Sequence, residues 1–70
     1  MSWIETPESS NIARFRYTKE TQVLTVEFQN GGRYEYYDVP DAVFEGMVRA
    51  PSKGQYLAQK IKGTFRYARA

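Results

Sequence analysis

The sequence predicts an α+β domain: a three-stranded antiparallel β-meander packed on one face by two short helices, in the order β-β-β-α-α. Two observations carry this. Three segments between residues 12 and 37 alternate apolar and polar residues with the period of two that half-buried strands require. After them, apolar residues recur at helical spacing between two proline-marked breaks. A last stretch, Thr64 to Arg69, alternates again and reads as a short fourth C-terminal strand or a docked tail.

Residues 1–11 mix Pro7, Ser9, Ser10 and Asn11 with Trp3 and Ile4, the composition of a loose N-terminal arm that docks through Trp3 on a core edge. Residues 12–70 then form a single domain. In the first strand Ala13, Phe15 and Tyr17 alternate with Arg14 and Arg16. In the second, Leu24, Val26 and Phe28 alternate with Thr25 and Glu27. A loop at 19–22 sets Tyr17 opposite Leu24 and Phe15 opposite Val26, as suits a hairpin built on a type I turn. Asn30-Gly31-Gly32 tolerates positive φ. A three-residue loop at 30–32 pairs Phe28 with Tyr34 and Val26 with Tyr36, keeping apolar against apolar. A one-residue slip would turn every side chain to the other face. Tyr34 and Tyr36 are thus assigned to the core, with Glu35 and Tyr37 on the outer face.

Asp38-Val39-Pro40-Asp41 is a helix start, since proline is favoured in the first turn and acids suit the positive dipole end. Asp38 and Val39 are both candidate caps. Val43, Phe44, Met47 and Val48 form one apolar stripe, Glu45 and Arg49 pair at four residues' separation, and Pro51 closes the helix. Ser52 followed by Gln55 is a capping-box pattern that opens a second helix over about 53–62, with Leu57 and Ile61 as its apolar line and Gly63 as its stop.

Composition excludes more than it selects. Among 70 residues there is no cysteine and no histidine. That removes disulfides, thiolate chemistry, the commonest zinc ligand and the commonest general base. No apolar run nears the roughly 20 residues of a membrane span, and the first residues lack the basic start and apolar core of a signal peptide. The expectation is a cytoplasmic chain without catalytic residues, metal or small-molecule cofactor. Glu35, Asp38 and Asp41 are close enough in sequence to cluster at the end of the third strand. However, so small a domain, burying only about 60% of its unfolded surface, offers little cleft to desolvate carboxylates, and helix capping already accounts for Asp38 and Asp41.

The net charge of +2 conceals a division: residues 1–45 carry −4 and residues 46–70 carry +6. Such a split is a hint of nucleic-acid or anionic-surface contact. Eleven aromatic residues accompany it. Bases interleaved with aromatics are how single strands are held, phosphate on the cation and base on the ring. The candidate phosphate contacts are Lys53, Lys60, Lys62, Arg66 and Arg69; the candidate stacking residues are Tyr37, Tyr56 and Tyr67. The alternative is a protein-interaction or homodimerisation module, using exposed strand edges or the oppositely charged halves.

The ordered set Ser9-Ser10-Asn11-Ile12, Tyr17, Leu24-Thr25-Val26-Glu27-Phe28, Asn30-Gly31-Gly32, Tyr34-Glu35-Tyr36, Val39-Pro40 and Ala50-Pro51-Ser52-Lys53-Gly54-Gln55-Tyr56, with a basic tail beyond Ile61, resembles the KTSC domain over about residues 9–67. That family is named for the C-terminus of some lysyl-tRNA synthetases and also occurs as small stand-alone bacterial proteins. The resemblance implies a Tyr-x-Tyr motif at Tyr34 and Tyr36. Through the synthetase context it suggests RNA, either tRNA or a single strand, as the partner.

Overall fold

The computed structural model describes residues 3–70. Its sheet has five antiparallel strands in sequence order: β1 (Ile4–Glu5), β2 (Ile12–Thr18), β3 (Val23–Phe28), β4 (Arg33–Tyr36) and β5 (Tyr67–Arg69). Between β4 and β5 run α1 (Asp41–Arg49) and α2 (Lys53–Tyr56), the latter continuing as a π-helical turn over Leu57–Ile61. The fold is α+β, with two strands more than the three of the predicted meander. One comes from the alternating C-terminal segment. The other is Ile4–Glu5 of the N-terminal arm, which pairs with β2 in place of the expected loose segment. Ile4 pairs with Phe15, and the buried Thr6 hydroxyl donates to the Ile12 carbonyl at 2.5 Å.

The first hairpin has the expected register, Tyr17 with Leu24 and Phe15 with Val26. The second is corrected. Val26 pairs with Tyr34 and Leu24 with Tyr36, two residues away from the predicted partners. The loop has three residues, but they are 29–31: the Phe28 N–H donates to the Gly32 carbonyl, and the Gly31 N–H to the Phe28 carbonyl. Gly31 takes the left-handed position at φ +94°, and the Asn30 side chain accepts from the Gly32 N–H. A two-residue shift preserves the faces. The phenol of Tyr36 therefore reaches the core as predicted, while Tyr34 is only half-buried.

Ile12, Phe15, Tyr17, Leu24, Val26 and Tyr36 from the sheet meet Val39, Met47, Leu57 and Ile61 from the helical side. Removing this apolar surface from water is the main stabilising term, at about 25 cal/mol per Å². The Tyr17 ring stacks on Phe44 at 4.6 Å, and its hydroxyl donates to the Val39 carbonyl, 2.9 Å from Asp41 Oδ1. Burial and the Asp41 carboxylate push this phenol up to about 12.

The start of α1 also differs from expectation. Pro40 is the cap, without a side-chain hydrogen bond, and neither Asp38 nor Val39 caps it. Asp38 instead takes φ +58°, turning the chain into the helix, and its carboxylate goes to Arg66. Val48 is exposed at the edge of the apolar stripe, rotated by about 100° from the buried Met47 that faces the core. In α2 the Ser52 Oγ accepts from the Gln55 N–H, as the capping pattern predicts.

On the sheet face away from the helices, Glu27 joins Arg14 and Arg33, both at 2.8 Å, and these guanidinium groups hold its carboxyl below the usual range. Trp3 lies against this face, not on a core edge as predicted. The guanidinium carbons of Arg14 and Arg16 stand 4.2 and 4.7 Å from its ring centre. Alternation forces this: Arg14 and Arg16 point opposite to Phe15 and Tyr17, so only the outer face offers cations to an indole.

Candidate nucleic-acid interface

The helices leave part of the inner sheet face uncovered around β4 and β5. Tyr36 and Tyr67 are directly paired across these strands, as are Tyr34 and Arg69, so all four side chains stand on the inner face. The rings do not close on one another. Tyr34 and Tyr36 each lie 5.7 Å from Tyr67 in tilted arrangements, and Phe28 meets Tyr34 edge-on at 5.7 Å. What remains is an open cleft of about 630 Å³ lined by Asn11, Phe28, Asn30, Tyr34, Tyr36, Lys62, Gly63 and Tyr67. Burial is the main cause raising the Tyr36 phenol above its ordinary value, with Tyr34 and Tyr67 adding to it.

The helix end supplies the cation. The Lys62 N–H donates to the Leu57 carbonyl at 2.8 Å, closing the π-helical turn, and Gly63 then reverses the chain at φ +80°. Such wide turns are rare and often mark functional sites. Here the turn keeps Leu57 and Ile61 both buried and delivers Lys62 to the cleft rim, its ammonium 5.5 Å from the Phe28 ring centre. Gly63 is the predicted stop, but the α-helical part expected over about 53–62 ends at Tyr56 because the turn widens.

Of the residues singled out from sequence, the cleft and its strand bring together Lys62, Tyr67 and Arg69. Arg66 and Tyr37 form a separate pair on the outer side. Arg66 reaches Asp38 at 2.9 Å and lies 5.7 Å from the Tyr37 ring, beside a shallower hollow that Tyr67 also lines. The Tyr37 hydroxyl donates to Glu35, which raises it beyond the effect of burial. Lys60 is exposed on the helix, outside the cleft. Lys53 donates to the Ala50 carbonyl and belongs to a polar groove with Ser9, Ser10 and Asn11.

Tyr56 cannot be a stacking platform. Its hydroxyl donates to the Val43 carbonyl, and its ring is packed against Gly46 of α1. Nor do the three carboxylates converge. Glu35 accepts from Tyr37, Asp38 from Arg66, and Asp41 lies beside the Tyr17 hydroxyl and Lys19. Among the described residues no group of three or more metal-ligating side chains forms, and no helix is long and apolar enough to cross a membrane.

Sequence reasoning missed Asn11, Phe28, Asn30 and Tyr34 as cleft residues. The alternation of Tyr34 and Tyr36 was visible, but not which end of the sheet the helices would leave bare.

Residues 8–65 match the family described as KTSC domain. The chain belongs to the KTSC domain family. The crystal structure of a KTSC domain protein from Yersinia pestis superposes with a TM-score of 0.92 at 28% identity, covering 99% of this chain and 96% of that one. Curated relatives include the lysine–tRNA ligase of Trichormus variabilis, 52% identical over 61 residues. They also include a protein of Tsukamurella paurometabola, 37% identical over 59 residues, of which the match covers 88%. The match covers 87% of this chain but only 11% of the Trichormus ligase. The KTSC domain thus occurs both as a small module and within lysine–tRNA ligases.

Proposed function

We propose that this KTSC domain is a non-catalytic RNA-binding module, which contacts RNA through the C-terminal strand and the adjoining helix end. The carrying observation is the position of Tyr67, 60% exposed, on the same face of β5 as Arg69 with Lys62 across the cleft. Cations beside an exposed ring suit a phosphate backbone with an unstacked base. The matched ligases act with a tRNA, which makes RNA the first polymer to test. Relative to the sequence expectation, the surface loses Tyr56 and moves from the length of α2 to its end.

The test is a titration with tRNA and short oligoribonucleotides at about 50 mM salt, where micromolar binding is expected. Its logarithmic salt slope should be roughly −0.7 per phosphate contact on a single strand. Absence of micromolar binding overturns the reading. Self-association through strand edges has weaker support. The edges are β1, of two residues, and β5, of three, and short edges are how sheets avoid pairing. The charge division of the chain is also not a division in space, since Arg66 reaches Asp38 and β5 lies beside β4.

A further inference from the structure

We propose that the aromatic cleft receives one unstacked nucleobase, its phosphate on Lys62, so that the domain selects unpaired nucleotides over duplex. This rests on the RNA reading and specifies its ligand. About 630 Å³ falls within the range of pockets that take a small organic ligand, whereas a base held in a duplex cannot enter such a cleft without leaving its stack.

The lining narrows the chemistry. Tyr34, Tyr67 and Phe28 present ring surface above the buried Tyr36, and Tyr67 is 60% exposed. No acid lines the cleft, and Lys62 forms no ion pair among the described residues. The expected ligand is therefore flat, aromatic and anionic. Two carboxamides stand at the rim. Asn30 has its oxygen committed to the Gly32 N–H, leaving its amide hydrogens to donate. Asn11 is exposed, and its carboxamide makes no hydrogen bond among the described residues. Carboxamides read base edges by donating and accepting at once. Stacking supplies affinity for any base, and the asparagines supply preference among bases.

The experiment uses the full chain, labelled for amide NMR, and fluorescence anisotropy. The RNA probes are a single-stranded oligoribonucleotide, the same strand annealed to its complement, and the strand with several abasic positions. The small probes are the four nucleoside monophosphates and ribose 5-phosphate. The single strand should bind at least about 10-fold tighter than the duplex or the abasic strand. Tyr67→Ala should weaken it by roughly 10-fold or more. Lys62→Ala should lower the salt slope by about 0.7, and Arg49→Gln, on α1, should leave it unchanged. Monophosphates, but not ribose 5-phosphate, should shift amides at Asn30, Tyr34 and Gly63.

If RNA binds but single strand and duplex bind equally, or Tyr67→Ala keeps full affinity, the cleft assignment falls and the RNA reading stands. If no RNA binds yet monophosphates shift the cleft amides, the RNA reading falls and the nucleotide site stands. If neither binds, or an acidic aromatic peptide binds in preference, the cleft assignment is overturned.

Discussion

Tyr36 and Tyr67 are cross-strand partners with rings 5.7 Å apart, yet Tyr36 is 3% exposed and Tyr67 60%. One tyrosine belongs to the core and its neighbour to the surface. Tyr36→Ala should therefore cost about 3–5 kcal/mol, enough to unfold much of so small a domain. Tyr67→Ala should change stability by only about 0.5 kcal/mol, although it removes the exposed ring. Urea unfolding of the two variants measures the difference. Equal losses would show that Tyr67 is a structural residue.

Gly46 faces Tyr56 so closely that a β-carbon there would collide with the phenol hydroxyl and lie 2.9 Å from the ring carbon bearing it. Gly46→Ala should thus destabilise by about 1–3 kcal/mol, despite the roughly 1 kcal/mol that alanine gains over glycine in a helix. Adding Tyr56→Phe should recover part of this, since one clashing atom is gone. A double-mutant cycle reads the coupling directly.

Tyr17 predicts alkaline behaviour. Its folded value of about 12 exceeds the ordinary 10.0, so the folded state holds the proton more tightly than the unfolded chain. The contribution is complete below pH 10 and is lost as pH rises toward 12. Tyr36 and Tyr37, shifted in the same direction, add to the fall. Tyr17→Phe should make the decline shallower. At pH 7 it should cost about 1–3 kcal/mol, because the buried Val39 carbonyl loses its phenol donor. Thermal melts between pH 7 and 12 test both statements.

Glu27 predicts the acid limb. Two arginines lower its carboxyl below 4.5, so its contribution is present above that value and is lost as pH falls through the lower folded value. Glu27→Gln should lower the melting temperature at pH 7 and remove part of the acid dependence below 4.5, an effect that salt should weaken. An unchanged acid limb would assign that dependence to other carboxylates.

Much of this fold is legible in the residues one by one. The 19–22 loop, the positions of Phe15, Tyr17, Leu24 and Val26 on one face, and the stops at Pro51 and Gly63 all follow from local rules. The second hairpin was readable to its face but not to its register. Asn30-Gly31-Gly32 admits either glycine in the left-handed position, and the choice moves the pairing by two residues. The strand at Ile4–Glu5 was not readable, because two residues carry no periodicity and their pairing depends on β2 already being in place.

The candidate site divides in the same way. Sequence alone determined an α+β chain without cysteine or histidine, rich in aromatics and basic toward its C-terminus, because composition and short-range periodicity are properties of the chain itself. Only the tertiary structure decided what each aromatic does. Tyr36, Tyr56 and Tyr67 look alike in sequence. Helix packing buries the first, the close approach of α1 and α2 occupies the second, and the third is left open because the helical layer ends at Lys62, before β5 begins. That outcome depends on which part of the sheet two short helices cover, and non-local packing of this kind leaves no trace in any window of the chain.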